Sequence, residues 1–284
     1  MRPQVEGFSF LPSPGKIEMM KQAIIHNYDR IAFRAGSFEL PWYDFMAVCV
    51  VVFGFLLWYW QARRGGLSHK LTWIALPWIV GCLFVGIRLF HCFFYAPDYY
   101  FAEPIRFIEV WNGGFASHGA LVGVAIGFYT YTRKFGLPFV PTFDRFCFSG
   151  AVGAALVRVG NFFNSEIVGR ETDLPWGMRF IGYDSGRLVR HPTQLYECAL
   201  ALFALLVLVI ADRLAGKEKR PPGLMLGLVM TIYFGGRFFI EFVKEYQTRV
   251  MYKLPFTMGH LLTIPAVLVG LWILAKIWKR YGNG

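Results

Sequence analysis

Apolar runs about as long as a bilayer is thick recur along this chain, broken by short charged connections. The hydrocarbon layer is about 30 Å deep, and roughly 20 apolar helical residues cross it. Seven such segments are predicted, at about 43–60, 71–94, 118–132, 143–157, 194–211, 223–243 and 258–278, the third and fourth being the shortest. The pattern predicts an all-α integral membrane protein with about seven transmembrane helices. The longest stretches outside the spans are 1–42, 95–117 and 158–193. Residues 1–42 are mixed and partly amphipathic, and are read as an N-terminal arm on the extracytoplasmic side. Residues 43–278 form the membrane domain, and 279–284 a short cytoplasmic tail. Segment 158–193 carries turn signals at Asp173–Pro175 and Asp184–Gly186. It is too long for a simple connector, so it is expected to form a small extracytoplasmic head within the membrane domain. No segment reads as a cleavable signal peptide.

Composition supports this picture. Of 284 residues, 56% are hydrophobic and only 17% charged, which excludes an ordinary soluble domain. The five cysteines (Cys49, Cys82, Cys92, Cys147, Cys198) lie within or at the ends of apolar segments and form no CxxC pair. They read as small buried hydrophobes, with neither a disulfide framework nor a metal site expected.

Charge orients the spans. The connections after spans one, three and five carry Arg63, Arg64 and Lys70; Arg133, Lys134 and Arg145; and Arg213, Lys217, Lys219 and Arg220. The connections after spans two and six carry Arg106, then Lys244, Arg249 and Lys253, fewer in total. Cytoplasmic loops are the Lys/Arg-rich ones. The N-terminus is therefore placed outside and the C-terminus in the cytoplasm. The N-terminal arm and segment 158–193, with five basic residues each, pull the other way. A formal charge of +11 suits a protein bedded among anionic lipids, and no basic stripe or binding module indicates nucleic acid.

Under this topology the unusual polar residues fall in one leaflet. Tyr43 opens span one. Arg88, His91 and Tyr95 share a face at the outer end of span two. His118 opens span three, Arg158 and Asn161 close span four, and His191, Gln194 and Glu197 begin span five. Arg237 and Glu241 lie in the outer half of span six. Ionised groups at membrane depth cost roughly 2.5–3.5 kcal/mol even on lenient scales, so they mark a partner, a ligand or a wet cavity. One polar chamber open to the outer leaflet accounts for all of them. Plainer readings stand beside it. Arg237 and Glu241 could be an ion pair at i, i+4, His118 could cap a helix, and Gly119, Gly123 and Gly127 read as a packing stripe.

The stretch Arg158-Val-Gly-Asn-Phe-Phe-Asn-Ser-Glu-Ile-Val-Gly169 resembles the signature of the prolipoprotein diacylglyceryl transferase family. So do Trp111-Asn-Gly-Gly114 with Ser117-His118-Gly119, Pro175-Trp-Gly177, His191-Pro-Thr-Gln-Leu-Tyr-Glu197 and Gly236-Arg-Phe-Phe-Ile-Glu241. Leu40-Pro-Trp-Tyr43 and Met258-Gly259 before Ile264-Pro265 resemble its first and last motifs. The resemblance implies a seven-span enzyme of the bacterial cytoplasmic membrane. Such an enzyme moves the diacylglyceryl group of phosphatidylglycerol to the lipobox cysteine of a prolipoprotein signal peptide, releasing glycerol phosphate and using no cofactor. It places the catalytic residues at His118, Arg237 and Glu241, and substrate binding at Arg158, Asn161, Glu166, Tyr43, Gly169 and Arg88. Val157, Ala120, Ser165, His91 and His260 depart from the family pattern. An altered-acceptor or non-catalytic paralogue and an anionic-lipid transporter are the alternatives; no inverted repeat supports transport.

The chemistry is consistent with the residue types. A thiol that displaces a phosphate ester from saturated carbon must become a thiolate, and the leaving phosphate needs fixed cations. Arginine's planar fork matches phosphate oxygens and stays charged. Arg158 and Arg237 are expected to hold the phosphate, with Glu241 orienting Arg237 and His118 as base. Asn161 and Glu166 are expected at the glycerol hydroxyls, and Tyr43 at the headgroup.

Overall fold

The computed structural model describes residues 22–94, 96–109, 117–245 and 258–281; the side chains of residues 117, 118, 258 and 262 lie outside that description. Seven long helices follow the apolar segments: α1 Trp42–Arg64, α2 His69–Phe94, α3 Ser117–Lys134, α4 Phe139–Phe163, α5 Thr193–Leu214, α6 Leu224–Glu241 and α7 Met258–Tyr281. Six are long and apolar enough to cross a membrane. The exception is α3, whose 18 residues include Ser117-His118 at one end and Arg133-Lys134 at the other. Its glycines serve packing.

Helix α4 runs several residues beyond the apolar stretch 143–157 at each end. Backbone hydrogen bonding propagates a helix regardless of polarity, and the added turns carry buried residues with tasks of their own. Near its start α4 also buries Asp144, whose carboxylate accepts from the backbone N–H groups of Gly223 (2.6 Å) and Leu226 (2.9 Å). It thereby caps the amino end of α6, where N–H groups lack helical partners.

The chain divides into two compact units. The first comprises Met1–Val48, Ala154–Ala201 and Phe234–Pro265. Short strands enter here: β1 (Ile24–His26) pairs in parallel with β4 (Met178–Phe180), and β2 (Ile31–Ala35) forms a hairpin with β3 (Phe38–Pro41). Gly36, at φ +60°, makes the hairpin's tight turn. Trp42 stacks on Phe163 at 4.3 Å, and the Trp42 N–H donates to the Arg30 carbonyl, so the hairpin leads directly into α1.

The second unit comprises Cys49–Gly153, Leu202–Tyr233 and Ala266–Gly284. Its core gathers Trp58, Ala62, Ala75, Phe128 and Tyr131, and a second cluster forms around Phe148, Leu208 and Met225. Helices α2 and α3 pack backbone to backbone. A Cβ on Gly86 would meet the Gly119 carbonyl, one on Gly119 the Gly86 carbonyl, and one on Gly123 the Cys82 carbonyl. Between apolar helices in lipid, attraction comes from such close van der Waals contact rather than from water exclusion. Arg64, Arg145 and Arg220 of this unit are paired with Asp212 or Glu218.

Replacing Gly123 by leucine should overpack the α2–α3 contact by about 1–3 kcal/mol and lower the melting temperature in detergent. The same replacement at Gly81, which faces open space, should leave it unchanged.

Candidate functional site

Arg158 lies on the last turns of α4, and Glu197 on the first turns of α5. Arg237 and Glu241 end α6, and Lys244 follows it. All belong to the first unit. Helices α5 and α6 approach closely there because a Cβ on Gly236 would collide with Leu200. That approach brings Glu197, three residues before Leu200, beside Arg237.

The Glu197 carboxylate, 0% exposed, is the hub. The Arg158 guanidinium Nε pairs with Oε2; Lys244 Nζ reaches Oε1 at 2.5 Å, and Arg237 Nε lies 3.7 Å from Oε1. Lys244 also contacts Glu241 Oε2 at 3.1 Å. Three cations thus meet two carboxylates, leaving one formal positive charge. An isolated buried carboxylate would carry a desolvation penalty of several kcal/mol, so the cluster stands only as a group. Arg237 is the most accessible cation, its side chain 28% exposed. Such a cluster can hold an anion.

The spacing suggests Glu241 as the group that orients Arg237. Among the described residues, ion pairs join Arg237 to Glu197 and Glu241 to Lys244. Gly259 of α7 packs against the Glu241 carboxylate, which a Cβ at that position would overlap. From sequence, Glu197 groups with the chamber residues without a role of its own, and Lys244 is not singled out. Glu197 was visible as an acid at the outer start of a span; Lys244 carried no signal beyond a loop charge.

Arg158 continues into a second chain of contacts. Its Nη1 donates to Asn161 Oδ1 (3.1 Å), and Asn161 Nδ2 donates to Glu166 Oε2 (3.1 Å). Asn164 Nδ2 donates to Glu166 Oε1 (3.3 Å). Glu166 itself is exposed. Its loop is held in unusual backbone: Ser165 has φ +55° and Ile167 φ +54°. A β-branched residue in the left-handed region costs of order 1–3 kcal/mol and persists only where its surroundings enforce it. The first turn of α5 does so. Gln194 Nε2 donates to the Glu166 carbonyl (2.6 Å) and Thr193 Oγ1 to the Ile167 carbonyl (2.8 Å). On the other side the Ser165 hydroxyl meets His26 Nδ1 at 3.2 Å, among Phe162 and Phe180.

The remaining sequence-derived residues fall as follows. Tyr43 starts α1, against Gly160 of α4. Gly169 is a backbone joint: its N–H donates to the His191 carbonyl (2.9 Å), and its carbonyl accepts from Arg190 Nη1 (3.1 Å). A Cβ there would lie 2.7 Å from the His191 carbonyl and 2.8 Å from that of Val243. Arg190 also pairs with Asp184 (2.8 Å) and Glu245 (2.7 Å). Burial would lower its pKa, but the two carboxylates outweigh it and raise it. Arg88 belongs to the second unit, where its guanidinium donates to the carbonyls of Arg106, Phe107 and Glu109 and stacks over Tyr100. It braces the segment after α2. His118 lies in the first turn of α3, also in the second unit, and its side chain is outside the described residues. Tyr95 and Trp111-Asn-Gly-Gly114 are outside them too.

A model of the family described as prolipoprotein diacylglyceryl transferase matches residues 30–276 of this chain. Curated relatives carry a matching name. The phosphatidylglycerol–prolipoprotein diacylglyceryl transferase of Chloroherpeton thalassium is 37% identical over 254 residues, spanning 87% of this chain and 92% of that protein. The one from Nitratidesulfovibrio vulgaris (strain DP4) is 35% identical over 255 residues, spanning 87% and 93%. That from Porphyromonas gingivalis is 34% identical over 277 residues, spanning 90% and 95%.

Two outcomes are expected. Glu197→Ala leaves Arg158 and Lys244 buried without their carboxylate and should lower stability by about 3–5 kcal/mol. Glu166→Ala, at an exposed position, should change it by less than about 1 kcal/mol. Thermal unfolding in detergent measures both. Burial lowers the pKa of His26 and of His191 below the ordinary value of about 6.5. The folded state then binds fewer protons than the unfolded one. Stability is fully present above about pH 6.5 and is lost as pH falls below it. His26→Phe should flatten the melting-temperature slope between about pH 7 and 5; an unchanged slope would exclude His26 as a contributor.

Proposed function

The chain belongs to the prolipoprotein diacylglyceryl transferase family, and we propose that it moves the diacylglyceryl group of phosphatidylglycerol to the thiol of a prolipoprotein's lipobox cysteine, the first step of lipoprotein maturation. The sulfur attacks the glycerol carbon that bears the phosphodiester. The carbon–oxygen bond breaks, and glycerol phosphate leaves with the electron pair. The observation that carries this reading is the cationic cluster around Glu197, with its net positive charge and partly exposed Arg237.

In this reading Arg158, Arg237 and Lys244 stabilise the charge that grows on the departing phosphate. Glu197 holds their side chains in place, and Glu241 positions Lys244. Preorganised charges do most where they need not move during reaction, and a shared buried carboxylate supplies that rigidity. Asn161 and the exposed Glu166 bind the glycerol hydroxyls. Tyr43 hydrogen-bonds the headgroup, while Gly169 keeps the loop seated. His118 takes the proton from the incoming thiol, an assignment that rests on its motif. The proposed setting is a bacterial inner membrane, with the N-terminus outside, the C-terminus in the cytoplasm and the site in the outer leaflet; the distribution of basic connections supports this orientation.

Purified protein with labelled phosphatidylglycerol and a lipobox peptide should yield a thioether-linked diacylglyceryl peptide, and a Cys→Ser peptide should accept nothing. Arg158→Lys and Arg237→Lys should each lose most of the rate, about 10²-fold for one oriented donor. Full activity in both would overturn the phosphate clamp. His118→Gln should lose about 10²-fold or more, and a normal rate would remove it as the base.

A further inference from the structure

The end of α7 carries cations that the catalytic reading does not use. Trp272, Lys276 and Arg280 recur every four residues and share one helix face. Within the second unit they line a cavity of about 390 Å³, together with the starts of α4 and α6. Its floor is apolar, formed by Val140, Leu226, Ile273 and Ile277. Gly223 keeps that floor open: at φ +95° it favours glycine, and a Cβ would crowd Ile273 at 3.1 Å and Val140 at 3.6 Å.

The charges here are unbalanced. Among the described residues, no carboxylate lines the cavity. The nearby Asp144 is buried and engaged with the N–H groups of Gly223 and Leu226. Lys276 lies over the Trp272 ring at 3.8 Å, and Arg280 over Tyr281 at 5.5 Å. Neither enters an ion pair among the described residues, whereas Arg64, Arg145 and Arg220 of the same unit are each paired.

We propose that this cavity binds one anionic phospholipid, its phosphate between Lys276 and Arg280 and its acyl chains along the Val140–Leu226–Ile273 floor. Two cations without an acid select an anionic headgroup over a zwitterionic one. The apolar floor selects a lipid over a free anion. Basic pockets between helices, beside interfacial tryptophan, have the chemistry for such headgroups. The site shares no residue with the Glu197 cluster. A lipid bound there stabilises the folded chain by mass action, filling the gap between three helices.

Native mass spectrometry of the full chain, delipidated in neutral detergent, tests this with phosphatidylserine, phosphatidylcholine and inorganic phosphate as probes. One phosphatidylserine should be retained and should raise the melting temperature. Lys276→Gln with Arg280→Gln should weaken retention about tenfold or more, at about one kcal/mol-scale contact per cation. Lys279→Gln, on the same helix but not lining the cavity, should not. Val140→Trp fills the apolar floor with both cations intact and should block retention; it carries the test if the double variant fails to fold. Three results would overturn the proposal: equal retention of phosphatidylcholine, equal loss in Lys279→Gln, or displacement of the lipid by inorganic phosphate.

Discussion

A single carboxylate with no exposed surface organises the candidate site. Glu197 draws Arg158, Lys244 and Arg237 toward one point, and the four residues come from three separate stretches of chain. In water such attractions are small; away from water each ion would be costly alone. The cluster is therefore cooperative: removing any member exposes the others to an unshielded field. Three cations on two acids also leave a standing positive charge, which an anionic headgroup can satisfy. In the proposed reading, the arrangement that makes the region foldable also receives the lipid phosphate.

The signature loop extends this logic into the backbone. Ser165 and Ile167 adopt left-handed conformations that neither side chain prefers. The compensation comes from Thr193 and Gln194, which donate to the loop's carbonyls from α5, the helix that also supplies Glu197. One helix start thus fixes both the central acid and the loop carrying Glu166. His26, fully buried beside Ser165, ties the first strand to the same loop. A segment that reads as irregular in sequence is held by dense local bonding.

Elsewhere, packing is governed by what side chains leave out. The α2–α3 contact depends on glycines whose hydrogens stand where a methyl group would strike a carbonyl. Helix α3, with Ser117-His118 at one end and Arg133-Lys134 at the other, is the one of the long seven that falls short by composition, and close van der Waals contact with α2 holds it.

Local physics made much of this protein legible from its sequence. A membrane-spanning helix needs only a run of apolar residues, so all seven long helices could be found, with ends displaced by a turn or two. The family was legible because its motifs occur in order over most of the chain, and Arg158, Asn161, Glu166, Arg237 and Glu241 stand out as polar groups beside apolar runs. The tertiary structure decided who pairs with whom. A carboxylate accepts from any cation within reach, and reach is set by which helix faces touch. Sequence spacing pointed from Arg237 to Glu241, one turn away. The close approach of α5 and α6 at Gly236 and Leu200 brings Glu197 beside Arg237 as well, and the chain after α6 delivers Lys244, whose contacts have no local mark in the sequence.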